Sequence, residues 1–258
     1  MGGGIDGHAL LARAREALAA RGDGARAAQQ EAYMKSAMPY HGVAGGEVKA
    51  VAKEIGAAYA FATPEALLAD VATIWDGAAF REERYVALML AGHAKARPLQ
   101  GLPRTARAAA PPEAGARAVA ALDLYERLIV DGAWWDLVDE LATHRVRALL
   151  AEHPALVAPR LRAWSQSGDV WLRRAAIIAQ VGRKDATDKG LLEAAMAPAL
   201  EEKVFWLRKA IGWALRDLAR TDPAWVLAYV EREGGRMSGL SRREALKHVG
   251  AGGGGQQQ

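Results

Sequence analysis

Asp139 and Trp135 stand four residues apart in the run WWDLVDELA, Trp134 to Ala142. At 3.6 residues per helical turn such a pair shares one face, so an indole lies beside a carboxylate, a combination suited to a cation. Structural roles compete for the same residues, since a helical Trp usually packs in a core and an Asp near a helix start complements the dipole.

A second constellation lies in KVFWLRKAIGWALRDLAR, where Lys203, Arg208, Lys209, Arg216 and Arg220 face a single acid, Asp217. Positive charge this concentrated suits a polyanion better than a small substrate. Projected at helical spacing, Leu207, Ile211, Ala214 and Leu218 form an apolar seam. Trp206, Lys209, Trp213, Arg216 and Arg220 form another line, in which indoles alternate with cations. Two readings are open: cation–π packing on a surface, or a nucleic-acid-facing stripe with Arg on phosphate and Trp against sugar or base.

In VWLRRAAIIAQ, Val170 to Gln180, Arg174 sits among apolar residues and needs an anionic partner, because an unpaired buried guanidinium is costly. An internal Asp is the commoner answer, and a backbone phosphate is the functional one. His8, His41, His93, His144, His153 and His248 show no metal-ligand spacing, so no metal is assigned and no cofactor is called for. The absence of cysteine excludes disulfides, thiolate zinc sites, iron–sulfur clusters and a cysteine nucleophile.

Helices must position these groups. Apolar spacing is helical nearly throughout and no period-2 strand stands out, so the chain reads as all-α. The expected helices are 7–21, 25–38, 46–60, 63–76, 80–95, 112–131, 134–152, 155–166, 169–182, 188–201, 204–220, 223–233 and 241–248. Thr63-Pro64-Glu65 and Asp222-Pro223 are start signals, and Ser241 precedes Glu244 at capping-box spacing. Short helices joined by brief turns suit either degenerate HEAT-like repeats or a compact bundle, which periodicity alone does not separate. The stretch Arg97 to Gly115, with four prolines and three arginines, reads as a flexible basic loop. Residues 1–6 and the Gly/Gln tail 250–258 read as flexible and disordered ends of a single domain spanning 7–249.

The chain has 258 residues, 51% hydrophobic and 25% charged, with net charge +4. That is the balance of a folded soluble protein with a substantial core. No signal-type h-region and no apolar run long enough for a membrane span occur, which points to a cytoplasmic protein; it is expected to be a monomer.

Five segments taken in order resemble the AlkD-like DNA alkylation repair glycosylase family, whose members are HEAT-like-repeat proteins. They are AYMKSAMPYHGV (Ala32 to Val43), WWDLVDELA, VWLRRAAIIAQ, FWLRKAIGWALRDLA (Phe205 to Ala219) and SGLSRREALKHV (Ser238 to Val249), and the resemblance covers most of residues 25–249. It implies a curved α-solenoid of antiparallel HEAT-like repeats with a concave basic DNA-binding face. Matched motif by motif, the family's aromatic and catalytic carboxylate fall on Trp135 and Asp139, and its second active-site Trp on Trp213. Its two DNA-gripping arginines fall on Arg174 and Arg216, and a lesion-lining tyrosine on Tyr33; Lys209 and Arg220 join them as candidate DNA contacts. The loop Arg97 to Gly115 departs from the family pattern in being longer and more basic.

The implied activity is hydrolysis of the N-glycosidic bond of cationic N3- or N7-alkylated purines, such as 7-methylguanine and 3-methyladenine, in duplex DNA during base excision repair. Bulky adducts fall within the implied substrate class. A cationic base is already a good leaving group, so no general acid is required. The remaining work is to stabilise a deoxyribosyl cation and direct water at it, which an ionised Asp139 can do. The family leaves the lesion stacked, unlike enzymes that extrude the base, so no deep base pocket is expected. No lysine nucleophile stands out, which favours monofunctional hydrolysis. The alternatives are a non-catalytic HEAT-like protein that recognises bent, branched or damaged DNA by shape, and a HEAT-type scaffold for a peptide.

Overall fold

The computed structural model describes residues 6–60, 63–103, 105 and 112–249, and among these there is no strand. The expectations for residues 1–5, for residues 104 and 106–111 of the basic loop, and for 250–258 lie outside the described residues. The chain divides into two compact units between Leu124 and Tyr125. The all-α expectation is met.

The first unit contains α1 (Gly7–Ala19), α2 (Gly24–Met34), α3 (Gly45–Ala58), α4 (Pro64–Asp76), α5 (Arg81–Ala91), a 3-10 turn (Arg97–Gln100) and the start of α6 (Ala114–Gly132). Asp6, Asp23 and Thr63 accept backbone N–H bonds at the starts of α1, α2 and α4, satisfying donors that a helix end leaves free. α2 ends earlier than its spacing predicts, because Lys35 adopts a left-handed conformation at φ 49°. Leu10 and Leu18 of α1, Val51 of α3, Val71, Ile74 and Trp75 of α4, and Val86 of α5 form the core.

The second unit begins with the rest of α6 and continues through α7 (Trp135–Glu140), a π-helical segment (Leu141–Val146), α8 (Arg147–Glu152), α9 (Pro154–Ser165) and α10 (Val170–Ile178). It ends with α11 (Lys189–Met196), α12 (Phe205–Leu218), α13 (Pro223–Glu233) and α14 (Gly239–Ala245). Asp169, Asp188 and Asp222 cap α10, α11 and α13, with Pro223 in the first turn of the last. In the first unit α3 and α4 each pack on α5, and α1 packs on α4 as well as on α3; in the second unit helices pack on their sequence neighbours and on the helix after next, α9 on α11, α10 on α12 and α12 on α14. That alternation is what stacked helical repeats produce, each helix touching its hairpin partner and its equivalent in the next repeat.

Two sequence expectations need correction in the second unit. The span 134–152 is interrupted by the π segment, in which one extra residue enters a turn. The cap of α14 is Ser238, whose Oγ accepts from the Ser241 amide at 3.0 Å. Ser241 lies inside the helix, 1% exposed, and its hydroxyl donates to the Arg208 carbonyl at 3.0 Å. Starting one turn earlier lets α14 bury Ser241 and Ala245, the latter with no exposed surface.

Candidate functional site

Trp134 precedes α7 in an extended conformation, and the helix begins at Trp135. Leu137 and Val138 are fully buried and fix the rotation of α7, leaving Trp135 and Asp139 partly exposed on another side. The π segment starts directly beyond Asp139 and Glu140. Within it, the Thr143 hydroxyl donates to the Asp139 carbonyl at 2.7 Å, while Arg145 donates to Glu140 at 2.8 Å.

α10 supplies the partner. Asp169 accepts from the amides of Trp171 and Leu172, both at 2.8 Å, and starts the helix so that Arg174 points inward. The Arg174 guanidinium grips Asp139 in a fork, Nε donating to Oδ1 and Nη2 to Oδ2, each at 2.7 Å. Its Nη1 donates to the Trp206 carbonyl at 2.8 Å. The anion that this buried arginine needs is therefore internal, and only 6% of the Arg174 side chain is exposed, against 17% for Asp139. Burial pushes the Asp139 carboxyl above its ordinary value, and the Arg174 fork only partly opposes it.

An aromatic cluster braces the pair. Trp206 lies under the Arg174 guanidinium at 5.8 Å and meets Trp134 edge-on at 5.4 Å and Trp171 at 5.5 Å. The three indoles come from the starts of α7, α10 and α12, and Phe205 adds a further edge contact to Trp206 at 5.1 Å. Trp134 and Trp171 are not among the residues that the sequence singled out for the site. The signal for Trp206 was its place in the α12 stripe, although its ring turns to neighbouring indoles.

The rest of that stripe divides. The apolar seam is buried, Leu207, Ile211, Ala214 and Leu218 being at most 5% exposed. Trp213, Lys209 and Arg216 are partly exposed on α12, and Arg220 is exposed just beyond its end. Arg216 is bonded to Glu244 of α14, which Lys209 also approaches at 3.4 Å. The structure thus joins Asp139, Arg174 and Trp206 by direct contact, keeps Trp135 on the helix of Asp139, and places Trp213, Lys209 and Arg216 together on α12.

Tyr33 belongs to the first unit, where it is 77% exposed on α2. It lines a cavity of about 380 Å³ with Arg26, Tyr40, Lys49 and Tyr85. The cavity floor is set by Glu82, 1% exposed, which accepts the amides of His41, Gly42 and Val43 at 3.0, 3.0 and 3.1 Å. Gly42 sits at φ 80°, and a Cβ there would stand 1.9 Å from the Asp23 carbonyl oxygen, so this turn requires glycine.

Among the described residues, no group of three or more His, Cys, Asp or Glu is arranged to hold a metal ion, and no helix is long and apolar enough to cross a membrane.

A family model described as DNA alkylation repair enzyme matches residues 14–249. Among solved structures, the chain is similar to one described as a predicted DNA alkylation repair enzyme from Enterococcus faecalis, with 25% identity and a TM-score of 0.70 over 89% of this chain and 97% of that one. No curated protein matches.

Proposed function

The chain belongs to the DNA alkylation repair enzyme family and so serves in the repair of alkylation damage, and within that role we propose that it is a monofunctional DNA N-glycosylase acting on cationic N3- or N7-alkylated purines. The observation that carries the reading is the Asp139 carboxylate, gripped on both oxygens by Arg174 yet still partly open.

The chemistry follows from what the fork leaves free. A carboxylate has about four acceptor positions, and Arg174 fills one on each oxygen. The remaining lone pairs face a deoxyribosyl carbon that gains positive charge as the C1′–N bond lengthens. The bonding electrons leave with the base, which departs neutral because alkylation had made it cationic. Water then adds its oxygen to C1′ and releases a proton, for which Asp139 is the nearest acceptor, made more basic than usual by burial. Trp135 and Trp213 offer π faces to the electron-poor sugar. In this scheme Arg174 orients the carboxylate, since its donors are already engaged inside the protein, and Arg216, Lys209 and Arg220 take the backbone phosphates. Tyr33 is assigned to DNA contact from the first unit.

The test is release of 7-methylguanine from methylated duplex DNA by wild type and by Asp139→Asn. Loss of release with retained duplex affinity supports the carboxylate as the catalytic group; equal rates end that assignment. The engagement of Arg174 by Asp139 favours one competing reading, in which the pair is a strut of a non-catalytic protein that recognises damaged DNA by shape. That protein would bind duplexes in a salt-sensitive way and release no base from any alkylated substrate.

A further inference from the structure

Glu244 is absent from the catalytic scheme, yet it holds two of the three cations assigned to phosphate. It bonds Arg216 and stands 3.4 Å from the Lys209 Nζ. The approach of α14 that brings it there depends on Gly212: a Cβ on that residue would stand 2.6 Å from the Glu244 Cβ. Side-chain exposure is 25% for Arg216, 39% for Lys209 and 20% for Glu244, so the triad is neither sealed in a core nor freely solvated. Burial works to raise the Glu244 carboxyl, but Lys209 and Arg216 outweigh it and hold the group below its ordinary value, so it is anionic at neutral pH.

We propose that Glu244 is an internal phosphate mimic: it occupies the cationic face of α12 in the free protein and must be displaced from Arg216 and Lys209 when a DNA backbone binds. Glu244 takes the Arg216 Nη1 with one oxygen and faces the Lys209 Nζ with the other, so it occupies a donor on each cation that a backbone phosphate would use. Displacement costs the same free energy on every duplex, so it lowers overall affinity and leaves the preference for damaged over undamaged DNA unchanged. It also reduces the salt dependence of binding, because the freed Glu244 carboxylate keeps a cation beside the backbone and offsets part of the counterion release that Arg216 and Lys209 bring about. The residue thereby tunes overall duplex affinity without touching the reacting atoms. This rests on the assignment of Arg216 and Lys209 to DNA phosphate.

The experiment compares wild type with the near-isosteric Glu244→Gln in binding an undamaged duplex across a salt series, with thermal melts confirming the fold. Glu244→Gln is expected to bind about three- to tenfold tighter at low salt, with the slope of log K against log salt steeper by about 0.9. In an Arg216→Ala background the gain from Glu244→Gln should shrink, since most of the competition is then gone. Wild-type binding with an unchanged or weaker Glu244→Gln, at unchanged slope, overturns the proposal and makes Glu244 a support for the arginine. Failure of both proteins to bind duplex DNA overturns the assignment of this face to phosphate, and the proposal with it.

Discussion

Glu83 in the first unit and Asp139 in the second are each gripped by an arginine fork, and their environments differ in one respect. Glu83 is fully buried and accepts from Arg15 Nε at 2.8 Å and Nη2 at 2.9 Å, from the Ala79 and Phe80 amides at 2.8 and 3.4 Å, and meets His41 Nε2 at 3.2 Å. Its acceptor positions are filled. Burial pushes its carboxyl up, and Arg15, Ala79, His41 and Phe80 together bring it below the ordinary value. Asp139 has the fork alone on its carboxylate, and burial leaves it raised. A saturated carboxylate is a tie between helices. An unsaturated one, strained toward its neutral form and partly open to solvent, has lone pairs left for a substrate.

If that difference is functional, substitution should separate the two sites, one losing activity and the other stability. The largest effect expected is from Asp139→Asn, which keeps shape and one acceptor for Arg174 but removes the charge. Single-turnover release of 7-methylguanine should fall by about 10²–10³, while duplex affinity changes little. Glu83→Gln should leave release per folded molecule intact and cost about 3 kcal/mol, seen as a melting temperature lower by roughly 6–12 °C. Sign matters for its pH dependence. The folded carboxyl of Glu83 titrates below its unfolded value, so its contribution is present above the ordinary Glu range and is lost as pH falls through the folded value. The gap between wild type and Glu83→Gln in melting temperature should therefore close in acid. Loss of catalysis in Glu83→Gln at unchanged fold would break the comparison.

The sequence carried the helices and their buried faces, and it did so through local physics. Asp169, Asp222 and Thr63 are caps because short acceptors reach the first-turn amides, and the seam of α12 is buried because its spacing matches the helical turn. Partnership across helices was not legible. Asp139 and Arg174 are 35 residues apart, and no periodicity relates them. The π segment escaped because its apolar residues, Leu141 and Val146, remain compatible with an ordinary helix. Buried charge escaped too: in REERYVALMLA, the sequence of α5, Arg81, Glu82 and Glu83 are at most 5% exposed. Their burial depends on loops and on α1, which local patterns do not encode.

The role of the fork itself can be sharpened by Arg174→Lys. An ammonium keeps the charge but bonds from one point, so it holds one Asp139 oxygen instead of two and releases the Trp206 carbonyl. Release should fall by about tenfold with little change in duplex affinity, as expected for loss of orientation in place of loss of phosphate binding. A drop in affinity without a change in the single-turnover rate would return Arg174 to the DNA backbone.

The smallest effect is a displacement of the acid limb of the pH profile. Release requires ionised Asp139, so the rate should rise with pH through the Asp139 titration and then level off. Because burial raises that carboxyl, half-maximal release should occur at a pH above the ordinary aspartate range. Stability moves the other way: with the folded value above the unfolded one, ionising Asp139 lowers stability as pH rises between the two. Acid should thus weaken catalysis over a window where the second unit's carboxylate becomes less unfavourable to the fold, whereas at Glu83 acid only destabilises. An acid limb at or below the ordinary carboxylate value, or one that persists in Asp139→Asn, would mean that the open carboxylate is as inert as the saturated one.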